Sequence, residues 1–298
     1  MPVSHLTLLA LLSTLAMSGC RLPGGDGPVS HSLAASRGYC QQGVAAMEQG
    51  ELKDAESLLG QAVRVCPADP EARRRYAEIL WQRGERPKAI AQLQEAIRVG
   101  GENAEIHVAL AQMRLEMGDG ADARHHADRA IDLDPRLSAA WAIRARISLA
   151  EGNRRAALDD YHRALGLAPD DREVRLAIAE VYRQLNQPQR ALSMLQVLAD
   201  TYTPGEEPQK VIYLEGLAYA ALGRHQEAVD AFTLAADRGK PTAEILCRLA
   251  ESELQLDCPG PAAEMAQQAL LLDPHHRPSQ EVLARAEVAL GPDNVTRR

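Results

Sequence analysis

Histidines and cysteines are the side chains best able to do chemistry in this 298-residue chain. His125–His126 and His275–His276 are adjacent pairs. Neighbours on a helix point apart, so neither pair has the i,i+4 arrangement of a helical metal site. The chain has no Gly-rich phosphate loop ending in Lys-Ser/Thr, no serine nucleophile elbow and no His-Glu-x-x-His motif. We therefore predict that the chain is not an enzyme and has no catalytic residues, no metal and no cofactor.

Cys20 follows a segment that is typical of export signals. Leu6–Met17 is an apolar stretch of about a dozen residues, too short to span a bilayer, and the small residues Ser18 and Gly19 come next. This arrangement resembles the lipobox of bacterial lipoproteins. The resemblance implies that residues 1–19 are a cleaved signal peptide and that Cys20 carries lipid (diacylglycerol and an acyl chain such as palmitate). An ordinary signal cut after Ser18 is the alternative.

The anchor sets the expected location of the protein. A lipid on Cys20 implies a cell-envelope protein, attached to a membrane and facing the periplasm. The next residue is Arg21 rather than the Asp of inner-membrane retention, so the outer membrane is favoured. Residues 20–35 are rich in Gly, Pro and Ser, which predicts a flexible tether after the lipidated cysteine.

The overall composition favours packed helices and argues against nucleic-acid binding. Alanine accounts for 50 residues, whereas Phe, Trp and Tyr together account for only 10. Helices pack closely with small side chains, whereas strands prefer aromatic and β-branched residues. The net charge of −8 lacks the basic footprint of a nucleic-acid-binding protein.

A period of 34 residues begins at Ser36. Counting each repeat from 1, position 8 is always Gly or Ala. Position 20 is always Ala: Ala55, Ala89, Ala123, Ala157, Ala191, Ala228 and Ala262. Position 15 is Gly, Asn or Asp, as a tight turn between helices needs: Gly50, Gly84, Gly118, Gly152, Asn186, Gly223 and Asp257. Position 32 is Pro in four repeats, where it would end the second helix: Pro67, Pro135, Pro169 and Pro274.

The pattern is similar to the tetratricopeptide repeat. The resemblance implies an all-α, right-handed α-solenoid of seven helix-turn-helix repeats, with first helices lining a concave face. The expected repeats are 36–69, 70–103, 104–137, 138–171, 172–205, 209–242 and 243–276. Residues 277–290 form an amphipathic stretch that fits a capping helix, and 291–298 are a tail. The insertion of residues 206–208 predicts a looser joint after the fifth repeat.

In this family the first-helix positions 2, 5, 9, 12 and 13 usually face the groove. The resemblance therefore places these side chains in it: Arg74, Glu78, Trp81, Gln112, Arg146, Leu149, Glu180, Arg183, Tyr213, Leu217 and Glu251. The set predicts an acidic rim around apolar patches, suited to a peptide with apolar anchors and basic side chains. The Asn-rich clamp for chain-end carboxylates is missing, so we expect no capture of acidic chaperone tails.

Cys40 and Cys66 lie near the start of one predicted helix and the end of the next. Antiparallel helices bring such ends together, so a disulfide is an open alternative in an oxidising compartment.

The leading interpretation is an interaction scaffold whose partner is another protein or peptide of the cell envelope. One alternative is a pilotin-like assembly factor for an outer-membrane pilus or secretin complex. Another is a regulatory subunit of an envelope enzyme. Homo-oligomerisation is left open.

Overall fold

The computed structural model describes residues 28–291, and within this range it is all-α, with fifteen helices and no strand. The helices are α1 Pro28–Glu48, α2 Leu52–Val65, α3 Pro70–Gln82, α4 Arg86–Gly100, α5 Ala104–Glu116, α6 Gly120–Leu133, α7 Ser138–Ala150, α8 Arg154–Leu167, α9 Arg172–Gln184, α10 Pro188–Ala199, α11 Gln209–Ala221, α12 His225–Arg238, α13 Ala243–Gln255, α14 Pro259–Leu272 and α15 Arg277–Leu290. From the second repeat onward, each first helix begins at the first residue of its repeat.

The turn inside each repeat closes on a left-handed residue. Position 15 has positive φ in all seven repeats, with glycine in five of them and Asn186 (φ 55°) and Asp257 (φ 60°) in the others. The residue after it donates its backbone N–H five residues back, as Glu51 does to Ala46 over 2.9 Å. The chain therefore reverses in three residues and the second helix packs antiparallel to the first.

The first helix begins earlier than the composition indicates. Residues 28–35, expected in the tether, are the first two turns of α1. Pro28 suits the first turn of a helix, and neither Gly nor Pro follows it before Gly38. Farther along α1, Ser36 is fully buried and donates a hydrogen bond to Asp69 over 2.9 Å, which ties α1 to the start of α3.

Small side chains bring the two helices of each repeat together. All seven alanines at position 20 are buried, with at most 1% exposure. A Cβ atom added to Gly216 would lie 2.5 Å from the Phe232 ring, and one added to Gly43 would lie 2.6 Å from Leu59. Phe232 and Leu59 both occupy position 24 and are fully buried. Glycine at position 8 therefore makes room for the side chain at position 24.

A recurrent hydrogen bond links repeats where position 32 is proline. The fourth residue of the next repeat donates to that proline carbonyl: Arg73 to Pro67 over 2.8 Å, Trp141 to Pro135 over 2.8 Å, and Arg175 to Pro169. Gln280 of α15 does the same to Pro274 over 2.9 Å. This carbonyl lies beyond the helix end and would otherwise have no intrahelical donor, so the link satisfies it.

The chain divides into two compact units, Met1–Gly100 and Gly101–Arg298. Within the second, α15 packs on α13 and α14 and buries Val282 and Ala286, as a capping helix should. The insertion after α10 is held by side chains, because Arg238 of α12 hydrogen-bonds Glu207 over 3.1 Å and also the Gly205 carbonyl. The looser joint after the fifth repeat stays a prediction, which hydrogen exchange around the insertion at residues 206–208 can test.

Candidate binding groove

A cavity of about 860 Å³ in the second compact unit lies along three consecutive first helices, α5, α7 and α9. We call it the central groove. Its lining comes from positions that the repeat pattern assigns to the inner face and from a few side chains behind them: Val108, Gln112, Leu115, Ala139, Ala142, Ile143, Arg146, Leu149, Ala150, Tyr161, Asp171, Glu173, Val174 and Ala177. Three residues expected in the groove, Gln112, Arg146 and Leu149, thus meet in one cavity.

The walls of the central groove are mostly aliphatic. Val108 and Leu115 come from α5, Leu149 from α7, and Val174 and Ala177 from α9. Small alanines on α7 keep the space between them open. A cavity of this size and lining can bury large apolar side chains of a bound segment.

Arg146 is the cation of this groove. Its side chain is exposed, and among residues 28–291 it makes no hydrogen bond or ion pair. Two carboxylates line the same cavity: Asp171, the N-cap of α9, whose Oδ1 accepts from the backbone N–H of Val174 over 2.9 Å, and the exposed Glu173. The polar part of the groove therefore carries charges of both signs.

Tyr161, at position 24 of a second helix, is not among the residues predicted for the groove, but it lines the central groove. The residue is 3% exposed, and its hydroxyl has no hydrogen-bond partner within the described part of the chain. Burial raises the pKa of Tyr161 to about 12, so the hydroxyl keeps its proton at neutral pH. The only sequence signal is a tyrosine where most other repeats have an aliphatic residue.

Two more predicted residues lie in a second, smaller cavity of about 350 Å³ farther along the same unit. Leu217 and Glu251 line it together with Arg248 and Arg285. Tyr213 is not in this lining. Its hydroxyl donates to Glu244 over 3.3 Å and its ring packs on Phe232.

The acidic rim expected from the sequence is largely neutralised by arginines on the same helices. In α13, Arg248 binds Glu244 over 2.8 Å and Glu251 over 2.9 Å. In α3, Arg74 binds Glu71 over 2.8 Å and Glu78 over 2.7 Å. These are i,i+3 and i,i+4 pairs. Arg74, at position 5, was part of the groove prediction, whereas Arg248, at position 6, was not.

Burial and ion pairing oppose each other at these carboxylates. Burial acts to raise the pKa of Glu71, but hydrogen bonds and charge from Arg74 and Arg75 leave that pKa below its usual value. Glu244 follows the same pattern, with Arg248 as the cation. Both carboxylates therefore stay ionised and paired at neutral pH.

The remaining predicted groove residues are spread out. Trp81 is half-buried at the end of α3, with the Arg86 guanidinium 5.4 Å from its ring centre. Glu180 pairs with Lys210 over 2.7 Å, and Arg183 is exposed on α9. None of these three predicted residues lines the central groove, and their role in binding stays a prediction.

The first compact unit has a cavity of its own, of about 490 Å³, between α1 and α3. Cys40 lines it together with Val44 and Arg75. Cys66 is the C-cap residue of α2. Both Cys40 and Cys66 have buried, free thiols. The disulfide between Cys40 and Cys66 stays an open alternative for an oxidising compartment. Burial raises the pKa of the Cys40 thiol to about 11, so it is protonated at neutral pH.

His107, His125 and His126 contact one another between α5 and α6. His126 packs on His107, a buried residue of α5, with the two Nδ1 atoms 3.0 Å apart. Burial, with smaller contributions from His107 and His125, lowers the pKa of His126 to about 4. Among the described residues, no three His, Cys, Asp or Glu side chains form a group that could hold a metal ion. Across residues 28–291 no helix has the length and apolar character needed to cross a membrane.

Comparisons with known proteins agree with this geometry. Tetratricopeptide repeat family models match residues 40–105, 79–138, 148–211 and 209–238. The chain belongs to the tetratricopeptide repeat family, as the sequence pattern indicates, and its fold is the α-solenoid of that family.

Similar proteins include much longer and shorter chains. "Cellulose synthase operon protein C" of Xanthomonas axonopodis pv. citri is 26% identical over 90% of this chain, which spans only 18% of that protein's length. A tetratricopeptide repeat protein from Parabacteroides merdae (16% identity, TM-score 0.55) aligns with 85% of this chain and 99% of its own. Pseudomonas aeruginosa pilF (17%, TM-score 0.54) aligns with 86% and 99%. YrrB, described as having an unusual peptide-binding site, aligns with 63% and 96% (19%, TM-score 0.56). These structural likenesses show the fold alone.

Proposed function

We propose that this protein is a non-enzymatic scaffold that holds a segment of a partner protein in the central groove. The observation that carries the proposal is the single cavity along α5, α7 and α9, with aliphatic walls and the unpaired guanidinium of Arg146. Tetratricopeptide repeat proteins are in general scaffolds for protein–protein interaction rather than enzymes. An extended segment could place apolar side chains between the first helices and leave its polar groups in water.

Site-specific crosslinking in cells tests this proposal. A photo-crosslinking amino acid at Ala150, which lines the groove, should capture a defined partner, and Leu149→Glu should abolish the product by placing a charge in the apolar wall. A crosslinker at Leu234, 46% exposed on α12, is the matched control. Identical products from Ala150 and Leu234, or products that survive Leu149→Glu, would contradict groove binding.

The proposed location is the periplasmic side of a membrane, with the outer membrane favoured. The support is the apolar stretch before Cys20 and the small residues that precede it, which lie outside the described residues. Mass spectrometry of the mature protein should find a lipidated Cys20 at the N-terminus, and Cys20→Ser should release the protein from membranes. An unmodified Cys20 in the mature protein would contradict the anchor.

The second candidate is an accessory role beside an envelope enzyme. The relative from Xanthomonas is named for a cellulose synthase operon, which favours this alternative over the pilotin-like one, since the likeness to pilF is one of fold. If it is correct, the partner captured from Ala150 is a subunit of a polysaccharide synthase, and loss of the protein changes exopolysaccharide output. A pilus or secretin subunit in the crosslink would instead support the pilotin-like role.

A further inference from the structure

The capping helix α15 continues the pattern as the first helix of an eighth repeat. Gln280, at its position 4, donates to the Pro274 carbonyl, as position 4 does after the other position-32 prolines. Ala284 stands at position 8, and Gly291 at position 15 has a φ of 76°, the left-handed turn that precedes every second helix. Within the described part of the chain, however, the helices that pack on α15 are α13 and α14, and no second helix follows it.

The face of α15 that a second helix would cover is open and partly apolar. Position 8 is buried in all seven repeats, but Ala284 is exposed. Position 12 is apolar and half-buried in six repeats, whereas Val288 at this position of α15 is 83% exposed. A cap that only ends a solenoid presents a polar outer face. Apolar groups at the two positions on which second helices pack therefore indicate that another helix covers α15.

The complete repeats show which side chains such a helix must carry. In the fourth and fifth repeats, as in α15, position 8 is alanine, and a large side chain at position 24 packs with it. Tyr161 shares a buried cluster with Ala145, and Leu195 shares one with Ala179. Positions 20 and 27, four residues before and three residues after position 24, are alanine in most repeats. The helix on α15 therefore needs Ala, a large apolar residue four residues later, and Ala three residues after that.

Charge adds a further requirement at position 11. In the third repeat, Arg114 at this position lies 3.7 Å from the carboxylate of Asp122, which occupies position 19 at the start of the second helix. In α15, position 11 is Glu287, which is exposed and forms no ion pair among residues 28–291. A basic side chain at position 19, directly before the first alanine, therefore complements α15.

We propose that α15 is the docking site for one amphipathic helix of a partner protein, which completes the eighth repeat. This helix carries Lys or Arg, then Ala, with Leu or Tyr four residues after that alanine and a second Ala seven residues after it. Residues 292–298 are fewer than the 12 residues of α10, the shortest second helix, so they do not suffice for this role. The site lies on different helices from the central groove, so this inference does not depend on the proposed function.

Fluorescence polarisation with the full chain and a helical peptide tests the inference. The probe copies residues 86–100, the helix α4. The side chains that form the required pattern in it are Lys88, Ala89, Leu93 and Ala96. A side-chain bridge between its residues 94 and 98, both exposed in α4, holds the peptide helical. The probe should bind saturably, and its Leu93→Glu form should bind at least tenfold more weakly, because the large apolar contact is lost.

Variants of the chain identify the face that binds. Val288→Glu should abolish binding, whereas Val197→Glu, the same change at a 50% exposed valine of α10, should not. The unchanged protein should prefer the probe over its Lys88→Glu form by about fivefold, and Glu287→Lys should reverse this preference. Glu264→Lys, the same charge reversal on an exposed residue of α14, should leave the preference as it was. Circular dichroism confirms that each variant is folded.

The other possible occupants of α15 give different results. A full chain that sediments as a dimer, and as a monomer after Val288→Glu, carries a second copy on α15, and this would overturn the partner helix. Absence of probe binding, or binding that persists after Val288→Glu, also overturns the inference. In cells, a photo-crosslinking amino acid at position 288 should join a partner helix with the stated pattern, located by mass spectrometry, and a crosslinked segment without the pattern would contradict it.

Discussion

The sharpest test of the packing is a single methyl group at Gly216. In Gly216→Ala the new Cβ would lie 2.5 Å from Cε1 and 2.6 Å from Cδ1 of Phe232, a fully buried ring that has little room to move. Overpacking of this kind costs about 1–3 kcal/mol, while Ala in place of Gly in a helix returns about 1 kcal/mol. We expect a net loss of about 1 kcal/mol, measured by urea denaturation and by faster hydrogen exchange in α11 and α12.

Two further variants show whether the clash is the cause. The fifth repeat pairs Ala179 at position 8 with Leu195 at position 24, so Gly216→Ala with Phe232→Leu copies a pair that already packs well. The double variant should lose less stability than the sum of the single ones, with a coupling of about 1 kcal/mol.

Gly38→Ala, inside α1 with nothing within 4 Å of the added Cβ, is the control and should gain about 0.5–1 kcal/mol. Additive losses in the double variant, or equal effects at Gly38 and Gly216, would refute the reasoning.

Three other perturbations follow from the same contacts. Asp257→Gly should raise the urea midpoint by an amount equivalent to about 1 kcal/mol, because φ of 60° strains a side chain but not glycine; an unchanged or lower midpoint would argue against strain. Arg144 binds the buried Asp160 through two 2.8 Å hydrogen bonds, so Arg144→Ala should cost about 3–5 kcal/mol and a much smaller loss would mean that water replaces the pair. The pKa values of His107 and His126 are lowered by burial, so the unfolded chain binds protons more readily and stability should fall as pH drops from 6.5 towards 4. Urea midpoints measured at each pH, with His126→Gln as the variant in which the slope flattens, check this.

The repeats could be predicted because each one places the same residue types at the same positions for the same local physical reasons. Small residues at position 8 mark the close approach of two helices, and Gly, Asn or Asp at position 15 marks a left-handed turn. Both features depend on residues within a single repeat. Their recurrence in seven repeats therefore distinguishes the pattern from a chance match. The start of α1 was missed because Gly- and Pro-rich composition was extended to residues 28–35, which contain no glycine at all.

The chemistry of the groove was harder to predict from single positions. Formal charges gave an acidic face, but Glu71, Glu78, Glu244 and Glu251 each find an arginine one helical turn away. Tyr161 belongs to a second helix, so a groove prediction drawn from first helices left it out, yet the alanines of α7 leave its edge open to the cavity. Pairing and exposure depend on neighbouring repeats, and the pattern of one repeat does not contain that information.

The bond from the fourth residue of one repeat to the proline carbonyl of the previous one has a consequence for engineering. We call the boundary between two repeats a seam. Cutting the chain at a seam that has this bond leaves a hydrogen-bond donor without its partner on one side and an acceptor without its partner on the other. The seams before Ile212 and Leu246 differ, because these fourth residues are apolar and buried by packing alone. Shortened or spliced versions of this array should therefore tolerate new junctions at those two seams better than at Trp141 or Arg175.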